Sequence, residues 1–452
     1  MKSIHNAASN FQEDCILERK KKQKNLYRRL LTMLVTALLI TSAISPVWAV
    51  SVTDTGAANI PAAGKSEAST TTTTKTNASK PSETESTEDS KTEADKTTDK
   101  ESKKNAPKEN VRQATIMLTG DLMCQPMQQL AAYDGSTYDF KPTFQYVKKI
   151  FDTADLVIGN LETLVSKSLP LSKDMSSLQT KPYLNAPEEF LDALKYAGFD
   201  GFITANNHDC DGGEAGLVET LDALDVRKIP HTGTFKDENE QRYMLFERNG
   251  IKIGILSYAT YFNKKEKFLS VEKQAYMLNR LDTDAVQRDI KALRNAGAEY
   301  IIAYNHSGTE YSQVPAARQE RYAILLGSAG VDYVVTSHPH VLQPYEKLPI
   351  GDKYVPVIYS MGNFTSAMLS SITKETLVLS LTLSKDKNGK VSLKEQTYYP
   401  CYMLDEYENE PFVLMPEDNR FNGDFEQTAS EKLKKQLAKN YAHIRKIVGK
   451  LH

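Results

Sequence analysis

From residue 114 to 415, short apolar runs alternate with longer segments whose apolar residues recur every three or four positions. ATIMLTGD (114–121), ADLVIGNLE (154–162), DGFITANNHD (200–209), EYIIAYNH (299–306), DYVVTSHPH (332–340) and YVPVIYSMGNF (354–364) read as strands. Each is brief, rich in β-branched or aromatic residues and bounded by turn formers. The spacing predicts helices near 187–198, 213–224 and 282–296, with Gly198 and Gly297 as left-handed stops. Asn249-Gly250 and Asn388-Gly389 sit between apolar runs and predict two hairpins. A charged amphipathic helix closes the chain within 416–452 and is expected to pack on the outside. Strands and helices in alternation define an α/β class.

The N-terminal quarter follows other rules. Residues 1–29 are basic, and residues 30–50 form one apolar run long enough to span a bilayer core. The positive flank predicts a cytoplasmic N-terminus, with everything beyond residue 50 on the extracellular side of the cell membrane. Val47-Trp48-Ala49 also resembles a signal-peptidase site, so a single-pass anchor and a cleaved signal both fit. Residues 51–112 are Ser, Thr, Lys and Glu with few large apolar side chains. Such a stretch cannot bury enough surface to offset its ordering entropy and reads as a disordered tether. The folded domain is therefore expected over 113–415.

Charge and cysteine content narrow the picture slightly. A net charge of -2 signals no nucleic-acid partner. Of the four cysteines, Cys15 precedes the apolar run and Cys124, Cys210 and Cys401 follow it. If that run reaches the membrane, complete pairing is impossible, and no disulfide scaffold is implied.

The polar residues at the strand ends change the picture most. Asp121, Glu162, Asn207 with His208, His306, and His338 with His340 close five separate strands. In open α/β sheets, ligand sites lie just beyond those ends. In an extended Ser337–His340 segment alternate side chains point the same way, so both imidazoles would reach one point, with Pro339 stiffening the backbone between them. Carboxylate, amide oxygen and imidazole together suit Mn, Fe or Zn, and suit Ca poorly. The inventory exceeds what one tetrahedral ion needs. Two ions sharing a carboxylate, about 3.5–4 Å apart, are typical of phosphoester hydrolysis.

Gly-Asp, Gly-Asn-Leu-Glu, Asn-Asn-His-Asp, His-Ser-Gly-Thr-Glu, Ser-His-Pro-His-Val and Tyr-Ser-Met-Gly-Asn-Phe occur in that order. Over residues 114–415 this series resembles the CapA family, linked to poly-γ-glutamate capsule synthesis, within the calcineurin-like metallophosphoesterase superfamily. The resemblance implies a four-layer α/β/β/α sandwich with a centre of one or two divalent ions. It places Asp121 and His340 on a first ion, Glu162 as the bridging carboxylate, and Asn207, His306 and His338 on a second. His208 takes the position of a catalytic proton donor, and Asn363 that of a substrate or ligand-shell contact. Three positions depart from the superfamily pattern: Met123 stands where Gly-Asp-x-His has histidine, Glu162 where phosphatases carry Asp, and Ser337 where they carry Gly. Glu310 reads either as a replacement ligand or as a substrate-binding or surface residue. Arg318 and Arg321 read either as steering an anionic substrate or as a solvated helix face. Cys124 and Cys210 flank the motif loops, where a disulfide and two unpaired thiols both fit. The resemblance implies an exported, membrane-tethered hydrolase or transferase, working with membrane-embedded synthase subunits on an anionic polymer. A non-catalytic polymer-binding or scaffold module on the same fold is the main rival. A surface nucleotidase is the third reading, and the short tail after residue 415 argues against it.

Overall fold

A computed structural model describes residues 111–451, apart from 180, 182 and 183. The apolar run at 30–50, the tether up to residue 110 and Cys15 lie outside the described residues. Among the described residues no helix is long and apolar enough to cross a membrane.

In chain order the strands are β1 (Arg112–Leu122), β2 (Leu156–Leu161), β3 (Gly201–Ile203), β4 (His231–Thr232), β5 (Met244–Arg248), β6 (Ile251–Ala259) and β7 (Tyr300–His306). They continue as β8 (Tyr333–Ser337), β9 (Leu342–Ile350), β10 (Lys353–Met361), β11 (Asn363–Thr365), β12 (Glu375–Lys385), β13 (Val391–Tyr407) and β14 (Glu410–Pro416). One sheet runs β14-β13-β12-β1-β2-β3-β4, with β11 on the end of β1. The other runs β5-β6-β7-β8-β10-β9. Strands β1–β4 and β6-β7-β8-β10 are parallel; β4 forms one edge of its sheet, and antiparallel hairpin strands complete the other edges.

The period of two along each strand sets the layers. Ile116 and Leu118 of β1, with Ile253 of β6 and Ile302 of β7, belong to one cluster between the sheets. Met117, one step along β1, faces the other way, into a cluster with helices Glu188–Ala197 and Gly213–Val226. Ile301 of β7 likewise turns outward, onto helices Thr283–Asn295 and Ala317–Ala329. Helix, sheet, sheet and helix follow one another across the molecule. The helix ends form as their residues dictate: Gly198 stops the first at φ 111°, and the Asp282 carboxylate caps the third by accepting from the Ala285 amide at 2.8 Å.

One feature adds to the sequence expectation, a second departs from it, and a third decides an alternative it left open. The C-terminal helix Glu431–Val448 keeps its charged face outward, and its apolar stripe of Leu437, Tyr441, Ile444 and Val448 joins the cluster between the sheets. Strand β3 has only three residues, so Asn207 and His208 lie in the turn beyond it. Cys124, Cys210 and Cys401 are free and buried, with no bridge between the first two.

Strand β1 carries the distortion that positions the site. Its register against β2 shifts between Leu118 and Asp121. A Cβ on Gly120 would lie 1.9 Å from the Gly362 carbonyl oxygen, so no larger residue fits. Asp121 N–H donates to that same oxygen at 3.0 Å, and Asp121 pairs with Asn363 of β11. The close approach of the two glycines thus delivers a carboxylate and an amide side by side.

Candidate metal centre

Parallel strands end together, so the polar residues that close them meet. On β7 the residues Tyr300, Ile302 and Tyr304 face the inter-sheet core, and the same parity sends His306 inward at the strand end. His306 Nε2 lies 2.8 Å from Asn207 Oδ1 and 3.5 Å from Glu162 Oε1. His340 Nδ1 is 3.5 Å from Asp121 Oδ2, and its Nε2 is 3.9 Å from Glu162 Oε1. The His306 and His338 rings sit 5.0 Å apart between centroids, those of His338 and His340 5.9 Å. Six side chains spread over some two hundred positions of sequence therefore converge: Asp121, Glu162, Asn207, His306, His338 and His340. All six are buried.

Two overlapping groups share Glu162. Ligand-competent atoms of Glu162, His306 and His338 lie within 4.8 Å of one another, as do those of Asp121, Glu162 and His340. The convergence of His338 and His340 has a different cause from the extended chain anticipated. Strand β8 stops at Ser337, and the two histidines take φ values of 100° and 60°. Left-handed backbone at non-glycine residues costs about 1–3 kcal/mol each and persists only where surroundings impose it. Here the loop after β7 does so: Ser307 N–H donates to Ser337 O at 3.1 Å and Tyr311 N–H to Pro339 O at 2.8 Å.

The electrostatics describe a site built for a cation. Burial, and then the neighbouring Asp121 charge, push the Glu162 carboxyl well above the usual carboxylate range. Burial and the adjoining imidazoles push His306 well below the ordinary histidine value, and His338 down to about 3. Among the described residues Asp121 Oδ2 and Glu162 Oε1, both buried, find no hydrogen-bond partner, and neither does Asn160 Oδ1. An unanswered buried polar atom costs about 1–3 kcal/mol, more when charged. A divalent cation among neutral imidazoles and carboxylates answers both oxygens at once, so the donor set fits Mn, Fe or Zn.

The remaining anticipated residues take distinct places. His208 stands at the rim, its side chain 19% exposed and its Nε2 4.0 Å from Glu162 Oε1. Asn363 Oδ1 lies 2.9 Å from His340 Nδ1, beside a ligand atom rather than in the open mouth. Glu310 is exposed, yet its carboxylate lies within 4.8 Å of ligand atoms of His338 and His340. Arg318 is exposed on the helix Ala317–Ala329 and has no ion-pair partner among the described residues; its charge contributes to the lowering of the nearby His338.

Sequence reasoning missed the supporting residues. Asn160 Nδ2 donates to Asp121 Oδ1 at 2.8 Å. Ser337 Oγ lies 2.8 Å from His306 Nδ1, and Tyr261 OH contacts His338 Nε2. The partner of His208 is Asp211, at 2.9 Å from Nδ1, and not the adjacent Asp209. Burial works against the Asp211 charge, but the hydrogen bond and charge of His208, with Lys265 at 3.1 Å, hold the carboxyl below its ordinary range. The signals in the sequence were Asn160 in Gly-Asn-Leu-Glu, the departure at Ser337, read without a role, and the Asp at the third position after His208; nothing marked Tyr261.

Fold and site together define an α/β protein with a candidate divalent-cation centre at its strand ends. Residues 115–368 match the family model described as "Bacterial capsule synthesis protein PGA_cap", and the chain belongs to that family. It is similar to the capsule biosynthesis protein CapA of Bacillus anthracis, 27% identical over 277 residues, 60% of this chain and 64% of that protein. It is also similar to the PGA biosynthesis protein CapA of Bacillus subtilis (strain 168), 26% identical over 249 residues, 55% of this chain and 62% of the relative. The matched part thus spans less than two thirds of either relative. Among solved structures, the calcineurin-like phosphoesterase YfkN of Bacillus subtilis is similar at 16% identity and a TM-score of 0.40, over 74% of this chain and 99% of that one.

Proposed function

We propose that this chain is a metal-dependent hydrolase or transferase of capsule or cell-envelope polymer synthesis, held at the extracellular face of the membrane by residues 30–50. The observation that carries the catalytic reading is the pair of buried carboxylate oxygens without a hydrogen-bond partner among the described residues, Asp121 Oδ2 and Glu162 Oε1, beside the imidazoles of His306, His338 and His340. The polymer reading rests on family membership and on the relatives' names, one of which concerns PGA biosynthesis. Membrane-embedded synthase subunits are the proposed partners, and an anionic polymer such as poly-γ-glutamate the proposed substrate.

In this reading Asp121, Glu162, Asn207, His306, His338 and His340 hold the ion or ions. A divalent cation in that position supplies Lewis-acid polarisation of the electrophilic oxygen and a nucleophile at neutral pH. The chain's own residues do the rest. Asn160 fixes the Asp121 carboxylate, and Ser337 orients the His306 ring through its second nitrogen. His208 donates a proton from Nε2 to the leaving atom, an oxygen in a phosphoester or the nitrogen of a poly-γ-glutamate amide, while the Asp211 carboxylate holds Nδ1–H and stabilises the imidazolium before transfer. His208 itself, with Lys265 behind it, holds Asp211 below its ordinary range.

The test is turnover of aryl and alkyl phosphodiesters by the Mn- or Zn-loaded full chain and by His208→Ala. Loss of a general acid costs about 10²–10⁴ in rate. His208→Ala is expected to lose that much with an alkoxide leaving group and far less with nitrophenolate, which needs no proton. Metal content should be unchanged. Equal losses on both substrates remove His208 from the proton-donor role. A metal-loaded wild-type chain inert toward every phosphoester removes the phosphoesterase chemistry.

A further inference from the structure

We infer that Glu310 is a third carboxylate of the metal centre, beside Asp121 and Glu162, joining it from the solvent side. The inference rests on the metal-centre reading above and goes beyond it. Glu162 lies below, grouped with His306 and His338 on one side and with Asp121 and His340 on the other. Glu310 lies above, grouped with His338 and His340, one histidine from each of those pairs. The buried and the exposed carboxylate therefore bracket the same two imidazoles.

Glu310 is placed by its backbone. Gly308 takes φ +149°, and a Cβ there would come within 2.9 Å of Pro339. Tyr311, the next residue after Glu310, takes φ 63° and donates its amide to Pro339 O at 2.8 Å. The Tyr311 ring lies 6.1 Å from that of His340. The loop is thus fastened directly onto the His338-Pro339-His340 turn, and the Glu310 side chain is delivered over it. That side chain has no hydrogen bond and no ion pair among the described residues, although Arg318 is on the following helix. A carboxylate held over two imidazoles and bonded to nothing is placed to bind what the imidazoles bind.

The arrangement also accounts for a gap in the sequence. The resemblance expects a histidine at Met123, whose thioether is a poor ligand for a hard or borderline ion. Glu310 supplies an anionic oxygen from another loop.

The experiment is metal retention by the full chain against rising EDTA, read by elemental analysis, for wild type, Glu310→Gln and Glu320→Gln. Glu320 is an exposed carboxylate outside the group and serves as the control. Glu310→Gln should release metal at about tenfold lower chelator, the size of effect expected when a metal's supporting groups are removed. Glu320→Gln should follow wild type. Metal-free Glu310→Gln should melt with the metal-free wild type, because the side chain is exposed and unbonded. Unchanged retention in Glu310→Gln, with wild type binding metal, overturns the role of Glu310 alone. A wild-type chain that retains no metal overturns this inference and the metal-centre reading together.

Discussion

Stripped of metal at neutral pH, Glu162→Gln is expected to be more stable than wild type by about 1–3 kcal/mol, while its metal affinity collapses. Glu162 is fully buried; its Oε1 has no hydrogen-bond partner among the described residues, and its Oε2 has only a 3.4 Å approach from Asn160 Nδ2. Burial and the Asp121 charge raise its pKa in the fold, against about 4.3 in an unfolded chain. The folded metal-free protein therefore keeps a proton that the unfolded chain releases above that value. Its stability is full below about pH 4.3 and falls as pH rises toward the folded pKa, with a slope approaching about 1.4 kcal/mol per pH unit. An amide keeps the shape and can still accept from Asn160, but carries no charge to desolvate. The glutamine variant should lack this part of the slope. In wild type, bound metal should remove it too, because the cation holds the carboxylate ionised. Urea unfolding across pH 5–8, with and without chelator, reads both effects. If metal-free wild type and variant show the same slope, Glu162 is not the strained group described here.

The fold was legible because its strands are short apolar runs bounded by turn formers and alternate with helical segments, and within each strand neighbouring side chains face opposite ways. Ile116 and Leu118 against Met117, or Ile302 against Ile301, can be sorted to opposite faces without any coordinates. The ligand set was legible for a related reason: each member closes an apolar run, and parallel strands end at one edge. What could not be read was anything set by contact rather than by pattern. The HxH pair suggested an extended segment, whereas its geometry is left-handed and imposed by a loop some thirty residues earlier. Asp211 follows His208 by three residues, a spacing that becomes a contact only because the chain turns there. Tyr261 approaches His338 from beyond β6, with no motif of its own. The C-terminal helix shows the same limit. One apolar stripe says that a helix is covered, not by what, and Leu437, Tyr441 and Ile444 turned out to close the space between the sheets.

Replacing Asn207 and His306 together by alanine should leave no retained metal and no turnover above background. The two donors, Asn207 Oδ1 and His306 Nε2, stand 2.8 Å apart with Glu162 Oε1 3.5 Å from the imidazole nitrogen. In the metal-free state a proton on Nε2 reconciles the first pair, so that His306 donates to the asparagine oxygen. Binding a cation requires the other tautomer, with the lone pair on Nε2 and the proton on Nδ1. Ser337 permits the exchange, because its hydroxyl at 2.8 Å can either donate to Nδ1 or accept from it. The double variant removes both donors and the device that presents them. Asn207→Ala alone removes one donor from the turn after β3 and should weaken retention without emptying the site. The pair need not be additive, since both residues serve one ion. His306 is fully buried, so the double variant also leaves a void of imidazole size, and its far-ultraviolet circular dichroism must match wild type before the loss is attributed to chemistry. A folded double variant with its metal and its activity intact would place the centre elsewhere on the molecule and leave the converging histidines without a purpose.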